Sequence, residues 1–261
     1  MNILHNFRGL LSRCFLSLAL LLLWVGCGFT EARIKKEKES EASYKLGVAY
    51  LNDNSPNMQK ALIEFSRAIE INPQNKEAHY ALGHVYFQRQ DYPKAIESFK
   101  RAISIDPNYS EAHNYLGKAY EGSGREEEAI LSYQGALKNI QYPTPQLPYW
   151  NMGLVYFKQK KYDQALEAFQ QTRKIEPANG DVVAKIGETY LQKGNIEKAL
   201  SFFKEAVALA PTDYMAHYRL ASFYLENGPR MLASDALQKV ISLAPQSMEA
   251  EIARKSLDAL K

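Results

Sequence analysis

Thiol chemistry is nearly absent from this 261-residue chain, which has two cysteines, Cys14 and Cys27, and none after position 27. No intramolecular disulfide framework can form beyond that point, and no cysteine cluster can hold zinc. An excess of one charge is missing too, since 32 Lys and Arg face 29 Asp and Glu for a formal net charge of +3. So small an imbalance carries no footprint for nucleic acid. Histidine occurs five times, never as the start of an H-E-x-x-H zinc-peptidase signature. Neither a G-x-S-x-G elbow nor a phosphate-binding glycine loop is present. No catalytic residue, metal, cofactor or small-molecule substrate is therefore expected. Long apolar runs are also lacking: the one candidate, Cys14 to Val25, falls short of the about 20 residues a membrane-spanning helix needs.

That short run has a setting of its own. Within residues 1–26 only Arg8 and Arg13 are charged, apart from His5 and the amino terminus, and Gly26-Cys27-Gly28 follows. A basic start, a short apolar core and small residues describe an export signal. The Val25-Gly26-Cys27 ending resembles a bacterial lipoprotein signal, which implies cleavage after residue 26 and lipid on Cys27. In the lipoproteins it resembles, Asp after the cysteine favours the inner membrane, so Gly28 implies the outer one. Lipid makes such an anchor at about 0.8 kcal/mol per buried CH₂, with two or more acyl chains needed for lasting attachment. An uncleaved inner-membrane signal anchor is the alternative. Residues 27–39 then read as lipidated cysteine plus a charged, solvated tether, with Glu31, Arg33, Lys35, Lys36, Glu37, Lys38 and Glu39 interleaved.

What the chain has in abundance is one repeated unit. From Lys76 it reads KEAHYALGHVYFQRQDYPKAIESFKRAISIDPNY, 34 residues to the next start. His79, Leu82, Gly83 and Tyr86 mark a first helix, Ala95, Phe99 and Ala102 a second, and Pro107 closes the unit. That is the tetratricopeptide pattern, W-x2-L-G-x2-Y followed by A-x3-F and P, with His at the first aromatic position. Glycine in a helix costs about 1 kcal/mol relative to alanine. Its recurrence at Gly47, Gly83, Gly117, Gly153 and Gly187, with Ala221 last, implies close helix approach. The second-helix partners are Phe65, Phe99, Tyr133, Phe169, Phe203 and Leu237. The chain is thus predicted to be all-α, a right-handed tetratricopeptide superhelix of antiparallel helix pairs. Six repeats cover 40–75, 76–109, 110–145, 146–179, 180–213 and 214–247, with a capping helix over 248–261. The cap's apolar residues are Met248, Ile252, Leu257 and Leu260. His79, His113 and His217 share one repeat position, where a packed imidazole is the simplest reading.

Binding remains as the function class. With Lys76 as position 1 of its unit, positions 5, 9 and 12 share a first-helix face away from the second helix. They read Tyr44, Val48, Leu51; Tyr80, His84, Phe87; Asn114, Lys118, Glu121; Trp150, Leu154, Phe157; Ala184, Glu188, Leu191; and Tyr218, Ser222, Leu225. The candidate partner-binding groove is the apolar subset: Tyr44, Val48, Leu51, Tyr80, Phe87, Trp150, Leu154 and Phe157. Lys at position 5 and Asn at position 9, used by carboxylate-clamp members to grip chaperone termini, occur in no repeat.

The inserted Tyr142-Pro143, the run Trp150-Asn151-Met152-Gly153-Leu154-Val155, and the plan of signal, tether and six repeats resemble the type IV pilus pilotins of the PilF and PilW type. The resemblance implies a non-catalytic protein-binding scaffold on the periplasmic face of the outer membrane, held there by its N-terminal lipid, with the secretin of the pilus as partner. Two alternatives stand beside it: a periplasmic adaptor lipoprotein gathering cell-wall hydrolases or proteases, and a signal-anchored subunit of a larger complex.

Overall fold

The computed structural model describes residues 31–53 and 55–260, and among these every regular element is a helix. The signal segment and Cys27 lie outside the described residues. Helix α1 covers residues 31–52. It is followed by α2 (Met58–Ile71), α3 (Lys76–Gln88) and α4 (Tyr92–Ile105). Then come α5 (Ser110–Gly122), α6 (Glu126–Ala136), α7 (Gln146–Lys158), α8 (Tyr162–Ile175), α9 (Gly180–Gln192), α10 (Ile196–Leu209), α11 (Tyr214–Asn227), α12 (Arg230–Leu243) and α13 (Met248–Leu260). The chain forms two compact units that meet in sequence at Pro107 and Asn108.

In the first unit α1 packs on α2, and α3 packs on both α2 and α4. Helix starts are set by short polar caps. Asn57, Asn75 and Asp91 accept from the backbone N–H of Lys60, Ala78 and Lys94 at 2.9, 2.8 and 3.4 Å. Pro93 sits in the first turn of α4, where its missing N–H leaves nothing unpaired. The segment read as a tether is helical: residues 31–39 are exposed and continue directly into the first repeat. Arg33–Glu37 at 2.9 Å and Glu41–Lys45 at 3.2 Å are i,i+4 pairs that support helix in water. The helix is moored at Ser40, which is fully buried; its hydroxyl donates to the Ala68 carbonyl at 2.8 Å and accepts from Asn75 Nδ2 at 2.8 Å.

The second unit repeats the plan through α5·α6, α7·α8, α9·α10 and α11·α12, each pair stacked on the next. Its third repeat departs from the others. Helix α6 ends at Ala136, 11 residues long where α8 and α10 have 14. Gly135 lies against the His113 ring, and a Cβ there would meet Nδ1 at 2.5 Å. Tyr142 turns inward and is buried, and α7 then starts after Pro145.

The cap helix buries a different face from the one its larger residues suggest. Met248 and Ile252 are 68% and 40% exposed, whereas Ala250 and Ala253 are fully buried and Leu257 and Leu260 pack on the α11–α12 core. The sites on α13 that would meet a further second helix carry Glu251, Arg254, Lys255 and Asp258 instead. Glu251 pairs with Lys255 at 2.7 Å, and Arg254 Nη2 donates to the Pro245 carbonyl at 2.7 Å. Charges on that face end the stack, since a further helix would have to desolvate them.

The shared histidine position is structural. His79 Nε2–H donates to the Pro73 carbonyl at 3.2 Å, and His217 Nε2–H to the Pro211 carbonyl at 3.0 Å. Each ring ties a first helix to the proline that closed the preceding repeat.

Candidate functional site

The sequence-predicted groove residues stand on α1 and α3 in the first unit and on α7 in the second. In the first, Tyr44, Val48 and Leu51 of α1 are half-buried against Ala61, Leu62 and Phe65 of α2. The Tyr44 ring lies 5.9 Å from Phe65, and Tyr80 of α3 lies 5.9 Å from Phe99. Phe87, two turns on, contacts Tyr92 at 5.9 Å. These rings are amphipathic in placement: one edge closes the repeat's own core and the other stays open. Aromatic contacts of this kind contribute about 0.5–1.5 kcal/mol beyond their buried area. Burial pushes the Tyr44 phenol up, with Glu77 and Glu41 adding to it, so it is a neutral hydrogen-bond donor.

In the second unit the patch runs along one helix. Trp150, Leu154 and Phe157 of α7 are half-buried; Trp150 lies 5.3 Å from Phe169 and Phe157 lies 5.8 Å from Tyr162. Leu147, at position 2 and missed by the reading of positions 5, 9 and 12, extends the strip and is 44% exposed. An apolar residue at a normally polar position was the available signal. Beside it opens a cavity of about 290 Å³ bounded by Leu147, Trp150, Gln146, Thr172, Glu176 and Val182. The Gln146 Oε1 atom is buried there with no hydrogen-bond partner.

Polar networks border this strip. Lys185 Nζ sits 5.1 Å over the Phe157 ring and 2.5 Å from Glu188, while Arg219 bridges Asp181 at 2.7 Å and Glu188 at 3.4 Å. On the α5 side, Asn151 Nδ2 donates to Asn114 Oδ1 at 3.2 Å. The Tyr133 hydroxyl donates to the Glu121 carboxylate, which burial holds above the usual carboxylate range. Two positions read as groove-lining are not: Asn114 and Ala184 are 4% and 0% exposed, so position 5 of repeats three and five belongs to the interior. Such a strip, apolar along its axis with charges satisfied at its margins, can desolvate a partner's side chains without losing its own ion pairs.

The match to protein families is made through the repeats. The model described as cilia and flagella-associated protein 70 C-terminal domain, a tetratricopeptide family, matches residues 25–257. The chain belongs to that tetratricopeptide family. No curated protein matches it. Among solved structures it is similar to PilW, a widely conserved type IV pilus biogenesis factor, with a TM-score of 0.69 and 21% identity over 82% of this chain and 97% of that one. It is similar to PilF of Pseudomonas aeruginosa with a TM-score of 0.68 and 21% identity, covering 85% and 99% of the two chains. YrrB, a tetratricopeptide protein with an unusual peptide-binding site, gives a TM-score of 0.57 and 21% identity over 73% and 97%. At these identities the likeness is one of fold. The fold is the all-α tetratricopeptide fold. Among the described residues, no helix is long and apolar enough to cross a membrane.

Proposed function

We propose that this chain is a non-catalytic, lipid-anchored outer-membrane scaffold that helps to place or assemble the secretin of a type IV pilus. Lipid on Cys27 would carry it to the membrane, and the half-open first-helix faces would hold a segment of the partner. The observation that carries the reading is the strip Leu147–Trp150–Leu154–Phe157 with its adjoining cavity, because one side of it closes the repeat core while the other is left half-open. The fold likeness to PilW and PilF supports the choice of partner class. The experiment is a complementation assay in a pilus-bearing host lacking its own scaffold. Wild type should restore heat-stable secretin multimers, whereas Cys27→Ser should lose fatty-acid labelling and leave secretin monomers. Equal labelling, or normal multimers without the chain, would defeat the proposal.

A further inference from the structure

In a tetratricopeptide stack, positions 3, 7 and 10 of each first helix meet the second helix of the preceding repeat. Within the first unit α2 covers this face of α3, where Ala78 and Val85 are fully buried. In the second unit the same face of α7 is covered by α6, with Met152 and Val155 at 9% and 1% exposure, and that of α9 by α8, with Val182 and Ile186 at 2% and 0%. The equivalent residues of α1 are Ala42, Leu46 and Ala49, and all three are exposed, Leu46 by 43%. Ile34, two turns before Ala42 on the same stripe, is 45% exposed. The face has therefore kept the small–large–small apolar pattern of a stacking surface. It contrasts with α13, where the corresponding outward sites are charged.

We infer that this open face of α1 docks an amphipathic helix from a partner protein, seated as the second helix of a repeat that the described residues do not supply. The molecule displays the fit itself, in α2 lying antiparallel on α3. The incoming helix needs apolar residues at i, i+3 and i+7, as Leu62, Phe65 and Ile69 stand on α2, with Phe65 the deepest. Charge sets its direction. Arg33, Lys35 and Lys45 are held by Glu37, Glu39 and Glu41, but Lys38, on the stripe between Ile34 and Ala42, has no such ion pair among the described residues. An acidic residue near the carboxyl end of an antiparallel helix would fall beside it. A bilayer is the poorer occupant, because along α1 the bases Arg33, Lys35, Lys36, Lys38 and Lys45 are interleaved with the acids Glu31, Glu37, Glu39 and Glu41, so the excess for anionic lipid is a single cation. The site is separate from the groove and does not depend on the pilus reading.

The test uses the soluble chain from residue 28 onward and a fluorescent, side-chain-stapled peptide of the α2 sequence MQKALIEFSRAIEI, with its scrambled version as control. Anisotropy should show saturable binding of the α2 peptide alone. Leu46→Lys should weaken it by about tenfold or more, since a lysine there must be desolvated. Lys38→Glu should weaken it several-fold through repulsion of the peptide's acids, while Met231→Lys, at a 71% exposed site on α12, should leave it unchanged. Circular dichroism checks that Leu46→Lys folds, as expected for an exposed site. Equal binding by wild type and Leu46→Lys overturns the inference, as does absence of saturable binding. It is also overturned if sedimentation shows that Leu46→Lys converts a dimer to a monomer, which would make a second copy the occupant. Flotation of the unlipidated chain with vesicles of phosphatidylglycerol and phosphatidylethanolamine, lost in Leu46→Lys, would assign the face to lipid instead.

Discussion

The Phe169 ring lies across the α-carbon of Gly153 so closely that a Cβ on Gly153 would stand 2.4 Å from Cε1. Phe169 is fully buried and cannot swing aside. Gly153→Ala should therefore lose about 1–3 kcal/mol to overpacking, more than the about 1 kcal/mol that alanine gains in helix propensity. At Gly187 the nearest atoms are 3.2 and 3.3 Å away, so Gly187→Ala should lie within about 1 kcal/mol of neutral. Thermal melts followed by circular dichroism compare the two, at about 2–4 °C per kcal/mol for a chain of this size. Equal midpoints would show that the rings relax more readily than their burial implies.

In repeats two to five the turn between the two helices holds one residue in the left-handed region. Repeats three and five supply Gly124 and Gly194, at φ 75° and 78°, but repeats two and four place Gln90 and Lys160 there at φ 59°. A side chain in that region costs about 1 kcal/mol. Gln90→Gly and Lys160→Gly should each stabilise by up to about 0.5–1 kcal/mol, reduced by the entropy glycine adds to the unfolded chain. Urea midpoints decide it, and a loss in both variants would refute the strain argument.

Much of this was legible in the sequence, because the glycine and aromatic positions that set the 34-residue period are also the atoms in closest contact. What escaped was set by context. The charges from Arg33 to Glu39 have the composition of a tether and the spacing of a helix, and Ser40 tips the balance by tying α1 to Ala68 and Asn75. On α13 Leu257 and Leu260 pack on the core as their size suggests, but the fully buried residues are Ala250 and Ala253, which a search for large apolar residues passes over. Gly135, in the last turn of the short α6, lies against the His113 ring, a contact between two helices that no local pattern announces. Leu147 entered the candidate site only once its distance from a covering helix was visible as exposure.

Protonation of His79 opposes folding. Burial lowers its pKa below the ordinary imidazole value, Arg101 lowers it further, and the Pro73 carbonyl only partly offsets them. The unfolded chain therefore binds this proton first. Stability is complete above the ordinary value of about 6.5 and falls as pH drops from there toward the folded pKa. His79→Phe, which restores an aromatic ring without a proton, should flatten the pH dependence of the urea midpoint between about pH 7.5 and 5.5. An unchanged slope would assign the acid sensitivity elsewhere.

Glu121 acts in the opposite sense. Burial raises its pKa, so the ionised carboxylate costs stability at neutral pH and the cost disappears as pH falls through the folded value toward the unfolded one. Glu121→Gln keeps an acceptor for the Tyr133 hydroxyl and removes the charge. It should raise the melting temperature at pH 7, with the difference from wild type closing near pH 4. A lower melting temperature would mean that Lys158 and Lys118 nearby offset the burial.

The groove is tested most cleanly at Leu147. Val48 and Leu154 are also in the strips, but both pack against their repeat cores, so a lysine at either place costs folding stability as well as binding. Leu147 is 44% exposed and lines the cavity beside Trp150, so Leu147→Lys should melt within a few degrees of wild type. A partner covering that strip would have to desolvate the new ammonium group, at a cost large compared with the about 25 cal/mol per Å² that apolar burial returns. Recovery of the secretin, and the multimers it forms, should therefore fall sharply in Leu147→Lys. Lys185→Met is the companion variant: it removes the charge over Phe157 while leaving the ring in place, and should weaken recovery only slightly. Normal secretin multimers in the Leu147→Lys strain would show that this α7 strip is not the working surface. Partner recovery by Leu46→Lys and Val48→Lys chains would then separate the end face of α1 from its groove face.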